Sequence, residues 1–188
     1  MKRLLVMLML LLASPLMAAE ALPGNSVYQF SASITDQNGH DQQWASRRGH
    51  VQIVSMFYTS CTMVCPMIVD TMKLTAQTVD PEKHTSLGLL LVSFDPARDS
   101  VAVLHDYAER RKLPAPTWTL ARTASPPETR QIAALLGLQY RQLPDGDFNH
   151  SSELILLDAD GRVVARTDVI GKLDPAFVQA TRKALAAN

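Results

Sequence analysis

Cysteine is scarce in this chain of 188 residues, two in all, and that excludes a small scaffold stapled by several disulfide bridges. Net charge is missing too: 18 basic residues balance 18 acidic ones, so no general electropositive field is available to neutralise a nucleic-acid backbone. No repeat period and no low-complexity tract is visible, which sets aside solenoids and collagen-like chains. The longest apolar run, Leu4 to Leu12, falls short of the roughly 20 residues that a membrane-spanning helix needs. What remains is a globular composition, 47% hydrophobic and 19% charged, with length enough for one domain and a real core.

The N-terminus combines a basic start, Met1-Lys2-Arg3, with that short apolar run and with small residues from Ala13 to Ala21. This pattern predicts a signal peptide over residues 1–21, cleaved within about 18–21. No cysteine stands near the cleavage site to accept a lipid, and the alternative is an uncleaved anchor. The mature chain, 22–188, is then expected as one soluble domain in the periplasm or another exported compartment, meeting membranes only through partners. Loss of Lys2 and Arg3 leaves 16 basic against 18 acidic residues if Glu20 is retained, too weak a charge for a nucleic-acid partner.

Along the mature chain, strand and helix signals alternate. Tyr28 to Thr35 and His40 to Trp44, joined by Asp36-Gln37-Asn38-Gly39, predict a β-hairpin ahead of the main sheet, because Asn-Gly supplies the positive φ that a tight turn demands. Val51 to Tyr58 reads as a buried central strand. A helix follows, with Pro66 expected at its first position, Cys65 at the N-cap, and Ile68, Val69, Met72, Ala76 and Val79 at helical spacing. Leu87 to Phe94 predicts a second buried strand, Asp99 a cap for a helix reaching about Lys112, and Thr117 to Ala121 another strand. Ser125-Pro126-Pro127-Glu128 has capping-box spacing for a helix ending before Gly137. Glu153 to Leu157 and Arg162 to Arg166 form a hairpin around Asp158-Ala159-Asp160-Gly161, and a last helix starts near Asp174-Pro175. The order matches an α/β, thioredoxin-like fold with an N-terminal β-hairpin and a closing antiparallel hairpin.

Cys61 and Cys65 stand where a central strand meets a helix N-terminus, the place in α/β sheets where ligands and reacting groups gather. The helix end stabilises thiolate over thiol, and thiolates bind metals or attack disulfides. A structural disulfide is the plain alternative in an exported protein. Bridging so short a loop contributes only about 2 kcal/mol, which a domain of this size does not need. Redox thioredoxins use Cys-x-x-Cys, whereas Cys61-Thr62-Met63-Val64-Cys65 has a longer spacer that lets both sulfurs converge on an ion. Two soft thiolates select Cu(I) or zinc, and one added imidazole gives a three-ligand site that suits trigonal Cu(I) or, with another donor, tetragonal Cu(II). His40, His50, His84, His105 and His150 are all candidates. His150, where the loop Pro144 to Asn149 enters the following strand, has a modest positional edge, and spacing alone does not choose among the five.

Phe57-Tyr58-Thr59-Ser60-Cys61-Thr62-Met63-Val64-Cys65-Pro66, then Val92-Ser93-Phe94-Asp95-Pro96-Ala97-Arg98-Asp99-Ser100, then His150 before Leu154 to Gly161, resemble the Sco/SenC family over about Leu22 to Leu185. The resemblance implies a thioredoxin-like fold and a copper ion, Cu(I) or Cu(II), held by Cys61, Cys65 and His150. It also implies a copper-acceptor partner such as a cytochrome oxidase subunit. Family members are discussed as thiol–disulfide reductases as well, which would make Cys61 and Cys65 a catalytic dithiol and imply a disulfide-reducing partner. The chain departs from many relatives in having Thr62-Met63 where they have Pro-Asp, and in a cleavable N-terminus where they keep an anchor.

For Asp95, Arg98 and Asp99, a plain role in strand termination and helix capping stands level with one in docking a partner. Past the signal peptide the methionines are Met56, Met63, Met67 and Met72, all flanking the cysteines, and thioethers are soft donors for Cu(I). Met56 and Met72 read as core, and Met63 as the exposed candidate. The main rival to a copper-binding assembly factor is an exported disulfide oxidoreductase. A peroxidase finds no clear motif here, and a structural zinc site lacks a fourth ligand.

Overall fold

A strand covered on both faces has no polar side to spare. In the computed structural model, β3 (Gln52–Phe57) has all six residues buried. The structure describes residues 21–81 and 87–188. The predicted signal peptide up to Glu20, and His84, fall outside the described residues. Among the described residues no helix is long and apolar enough to cross a membrane.

β4 (Gly88–Ser93) runs parallel to β3, from Gly88 opposite Gln52 to Ser93 opposite Phe57, and α1 (Val64–Val79) lies between them in sequence. Ile68, Val69 and Met72 of α1 are fully buried against the sheet, each worth roughly 1.5–3 kcal/mol by removal from water. α2 (Val101–Arg111) leads to β5 (Trp118–Arg122), parallel to β4. The hairpin β8 (Leu154–Leu157) and β9 (Val163–Thr167) then adds antiparallel on the other side of β3, and α4 (Pro175–Ala186) packs on β9 and α1. The predicted closing hairpin and final helix are therefore present, with Asp174 capping the helix through bonds from the N–H groups of Ala176 and Phe177.

The N-terminal hairpin forms from β1 (Ser33–Asp36) and β2 (Asp41–Gln43). It is shorter than expected, because Tyr28 lies in a 3-10 turn, Val27–Gln29, and Trp44 begins another, Trp44–Arg47. Buried Trp44 donates its indole N–H to the carbonyl of Val27 at 2.9 Å, and this ties the two turns together. The hairpin also joins the main sheet, since β1 pairs with β5 and gives the order β2-β1-β5-β4-β3-β8-β9. α3 (Pro126–Leu135) ends before Gly137, whose φ of 68° needs no Cβ.

Two details differ from the sequence reading. Ser100, not Asp99, caps α2, its hydroxyl accepting from the N–H of Val103 at 3.3 Å, because the Asp99 carboxylate is engaged elsewhere. The stretch Pro144 to Asn149, read as a loop entering the strand of the closing hairpin, instead belongs to a separate two-stranded sheet of β6 (Tyr140–Gln142) and β7 (Phe148–His150).

Candidate metal centre

The chain leaves β3 at Phe57 and turns through Tyr58-Thr59-Ser60, where the N–H of Cys61 bonds to the carbonyl of Tyr58 at 3.3 Å. α1 begins two residues earlier than the proline suggested: Met63 occupies the N-cap and Cys65 is the second helical residue. Pro66 is tolerated one position further in because every N–H of the first turn lacks a helical acceptor. The shift places the N–H of Cys65 3.4 Å from the sulfur of Cys61, so the helix end addresses one thiol through the backbone of the other.

His150 arrives from the far end of the chain on β7, opposite Tyr140. The ligand atoms of Cys61, Cys65 and His150 all lie within 4.8 Å of one another, the one cluster of this kind among the described residues. The other described histidines stand apart from it: His40 pairs with Asp36 at 3.2 Å, and His50 and His105 are exposed. The imidazole of His150 packs against Phe94 at 4.8 Å between ring centres and edge-on to Tyr58 at 6.1 Å. Its Nδ1 lies 2.9 Å from the carbonyl oxygen of Ser151. A carbonyl only accepts, so in the neutral ring Nδ1 carries the proton and Nε2 keeps a lone pair.

The Asp-Pro-x-Arg-Asp segment turns out to brace the site from beneath. Asp99, 1% exposed, accepts from both the backbone N–H and the hydroxyl of Thr59, two residues before Cys61, and from the hydroxyl of Ser93. Ser93 in turn accepts from the N–H of Asp95 at 2.9 Å, and the Asp95 carboxylate holds the guanidinium of Arg98. Arg98 reaches across to the carbonyl of Gly146 in the β6–β7 turn and lies 5.9 Å from the centre of the Phe148 ring. One network thus runs from the cysteine loop to the histidine hairpin. The sequence offered strand termination, capping or docking for these aspartates, and bracing was missed. The signal available was the density of Ser, Asp and Arg between Ser93 and Ser100, groups that must pair with one another if buried.

The two thiols are unlike. Burial works against ionising Cys61, but donation to its sulfur from the N–H and thiol of Cys65, the N–H of Met63 and the hydroxyl of Tyr58 together hold it below the ordinary thiol range. Burial pushes the Cys65 thiol strongly up, and its donation to Cys61 and the nearby Asp99 charge add to the rise. Burial likewise raises the Tyr58 hydroxyl to about 12, so it stays a donor at neutral pH. Both cysteines are free.

Met56 and Met72 are buried, 1% and 0% exposed, as core residues should be, while Met63 is 79% exposed between the cysteines. Met67, one turn further on, is also exposed at 46%. Two sulfurs and an imidazole nitrogen are a soft donor set matched to copper. Their spread is one that an ion about 2.0–2.3 Å from each donor spans after small side-chain rotations. A structural zinc site would ask for a fourth ligand, which the cluster does not contain.

The family model described as SCO1/SenC matches residues 21–186. A candidate copper-binding protein of Stutzerimonas stutzeri is 25% identical over 145 residues, 75% of this chain and 69% of that protein. Among solved structures, a SCO1/SenC family lipoprotein from Bacillus anthracis aligns with a TM-score of 0.75 at 19% identity, covering 84% of this chain and 94% of the other. Copper-bound ScoI from Bradyrhizobium japonicum aligns with a TM-score of 0.68 at 24% identity, covering 83% and 98%.

Proposed function

This chain belongs to the SCO1/SenC family, and on that premise we propose that it binds one copper ion through Cys61, Cys65 and His150. We further propose that it is exported and hands the ion to a copper protein such as a cytochrome oxidase subunit. The observation that carries the reading is the convergence of the three ligand atoms from two distant parts of the chain. A dithiol used only for electron exchange makes no use of an imidazole beside it, whereas an imidazole completes a three-donor set that suits both Cu(I) and Cu(II). Support also comes from the copper-bound relative of the same fold and from the name of the Stutzerimonas protein.

In this reading the protein's own groups do four things. Cys61, held towards thiolate by the helix end, and Cys65, which loses its proton as it ligates, supply the soft pair. His150 adds Nε2, its ring fixed by the Ser151 carbonyl and by Phe94. Tyr58 donates to Cys61 and packs against His150, so a single side chain touches two ligands. Phe94, Phe148 and Tyr140 keep the inner side of the site dry, which leaves the solvent side, where Met63 stands, as the route of transfer.

The asymmetry of the two thiols favours a second reading on the same residues. A reactive Cys61 beside a buried Cys65 is what a thiol–disulfide exchange pair needs, one sulfur to attack and one to resolve. Such an activity would keep a partner's own copper-ligand cysteines reduced, and would itself call for a disulfide-reducing partner.

The test is to add Cu(II) without oxygen to the reduced mature protein and record visible absorption and electron paramagnetic resonance. Wild type is expected to bind one ion with a sulfur-to-copper charge-transfer band, and Cys61→Ser, Cys65→Ser and His150→Ala each to alter or abolish it. Oxidation of the thiols to a disulfide without retained copper, or an unchanged spectrum for His150→Ala, would overturn the copper reading in favour of the oxidoreductase.

A further inference from the structure

Cys61 and Cys65 are set by the main sheet and α1, whereas among the described residues β6 and β7, which carry His150, pair with each other and share no ladder with the seven-stranded sheet. Something else must set where the imidazole sits relative to the sulfurs. The aromatic contacts of Phe148 and His150 with Tyr58 and Phe94 supply adhesion that tolerates sliding, and a bond between the Phe148 backbone and the Tyr58 hydroxyl pins the hairpin at one point only. A directional tie is present in Arg98. Its Nε is held by the Asp95 carboxylate, 7% exposed, while its Nη2 donates to the carbonyl of Gly146 and its guanidinium lies over Phe148. A planar fork engaged at both ends restricts rotation in a way a single contact does not. Gly146 fits the partnership: φ is 89°, and its carbonyl faces an arginine whose Nη1 stands 3.4 Å from where a Cβ would be.

Resting on the copper reading of the site, we propose that Arg98, anchored by Asp95, is the positioning residue for His150. It holds the β6–β7 hairpin so that Nε2 remains within ligating distance of the two thiolates. Arg98 touches neither sulfur nor imidazole and acts through the hairpin. Through Ser93 and Asp99 the same anchor is continuous with Thr59, so the two halves of the site are referred to one frame.

Two measurements on the mature protein test this. In the metal-free reduced form, amide hydrogen exchange over 147–150 is expected to accelerate at least ~10-fold in Arg98→Ala, with β3 and β4 unchanged. Cu(II) affinity, from competition with a chelator, is expected to fall ~10–100-fold in Arg98→Ala. In a His150→Ala background, adding Arg98→Ala is expected to cost nothing further, since the residue it positions is gone. Arg98→Lys, which keeps the charge but loses the fork, is expected to rescue poorly, and Arg98→Gln serves where the alanine variant does not fold. Unchanged exchange, or an equal affinity loss with and without His150, overturns the proposal. A wild type that binds no copper overturns the functional reading instead, and the exchange measurement then decides the role of Arg98 by itself.

Discussion

The sulfur of Cys61 receives the backbone N–H of Cys65 at 3.4 Å, so each cysteine of the pair helps decide the charge of the other. The donated N–H favours a thiolate at Cys61, and a negative Cys61 disfavours a second charge on Cys65. In the metal-free, reduced protein Cys61 therefore ionises ahead of Cys65, and a bound cation favours the ionisation of both sulfurs.

Alkylation should show this order. With iodoacetamide in the metal-free reduced protein, Cys61 is expected to react first, with a pH midpoint below the ordinary thiol value of about 8.5, and Cys65 only after unfolding. Peptide mass spectrometry across pH 6–10 reads the result. Labelling of Cys65 ahead of Cys61 would contradict the assignment.

The ring nitrogens of His150 should be distinguishable without metal. The Ser151 carbonyl calls for a proton on Nδ1, so long-range proton–nitrogen correlation of the neutral imidazole is expected to show Nδ1–H and a bare Nε2. The opposite tautomer would show that the ring is held otherwise.

Asp99 should couple stability to acid. Burial raises its folded pKa above the unfolded value of about 3.9, despite the bonds from Ser93 and Thr59. A carboxyl raised on folding contributes stability below its unfolded pKa and loses it as pH climbs through the folded one. Wild type is thus expected to exceed Asp99→Asn in stability by most near pH 3 and by less near pH 7, measured by urea unfolding. Asp99→Ala, which strips Thr59 and Ser93 of their acceptor, is expected to cost about 2–4 kcal/mol at neutral pH.

Met63 is exposed, so Met63→Leu is expected to change stability by less than about 0.5 kcal/mol. The same substitution is expected to weaken Cu(I) binding severalfold in a chelator competition while leaving the Cu(II) spectrum unchanged. Unaltered Cu(I) affinity would remove the thioether from the site.

Gly161→Ala should be costly far from the centre. φ is 77° and an added Cβ would stand 2.4 Å from the ring of Tyr28, with no room because Tyr28 is 2% exposed. A loss of about 2 kcal/mol or more in denaturant unfolding, with an unaltered copper spectrum, is expected.

Where the sequence was regular, it was readable. The unbroken apolar run of β3, the i, i+4 face of α1 and the Asp174-Pro175 start of α4 each carry one strong local signal, and each element formed where that signal lay. The N-terminus of α1 differs from the reading because proline, though favoured at the first position, is tolerated throughout a first turn whose N–H groups lack helical acceptors. The hairpin that carries His150 was invisible for a different reason. Three-residue strands with the polar composition of Tyr140–Gln142 and Phe148–His150 have no periodicity to detect, and they exist because aromatic rings from β3 and β4's ends lie beneath them. The choice of His150 among the histidines came from family resemblance, and the geometry supplies what spacing could not. Of the bracing by Asp95, Arg98 and Asp99, the dense Ser, Asp and Arg of one short segment hinted at the local bonds, while the long-range partners, Thr59 and Gly146, have no local signal.

The two sulfurs belong to one strand–turn–helix unit, whereas the imidazole is delivered only after β4 to β6 and helices α2 and α3 have been laid down. On the proposed export, a chain folding as it emerges would present a bare dithiol before the complete three-donor cluster. During that interval, oxidants and stray soft cations meet the thiols without the histidine to compete. The order of the chain thus separates the sulfurs from the nitrogen in time, by an interval that long-range contact formation sets.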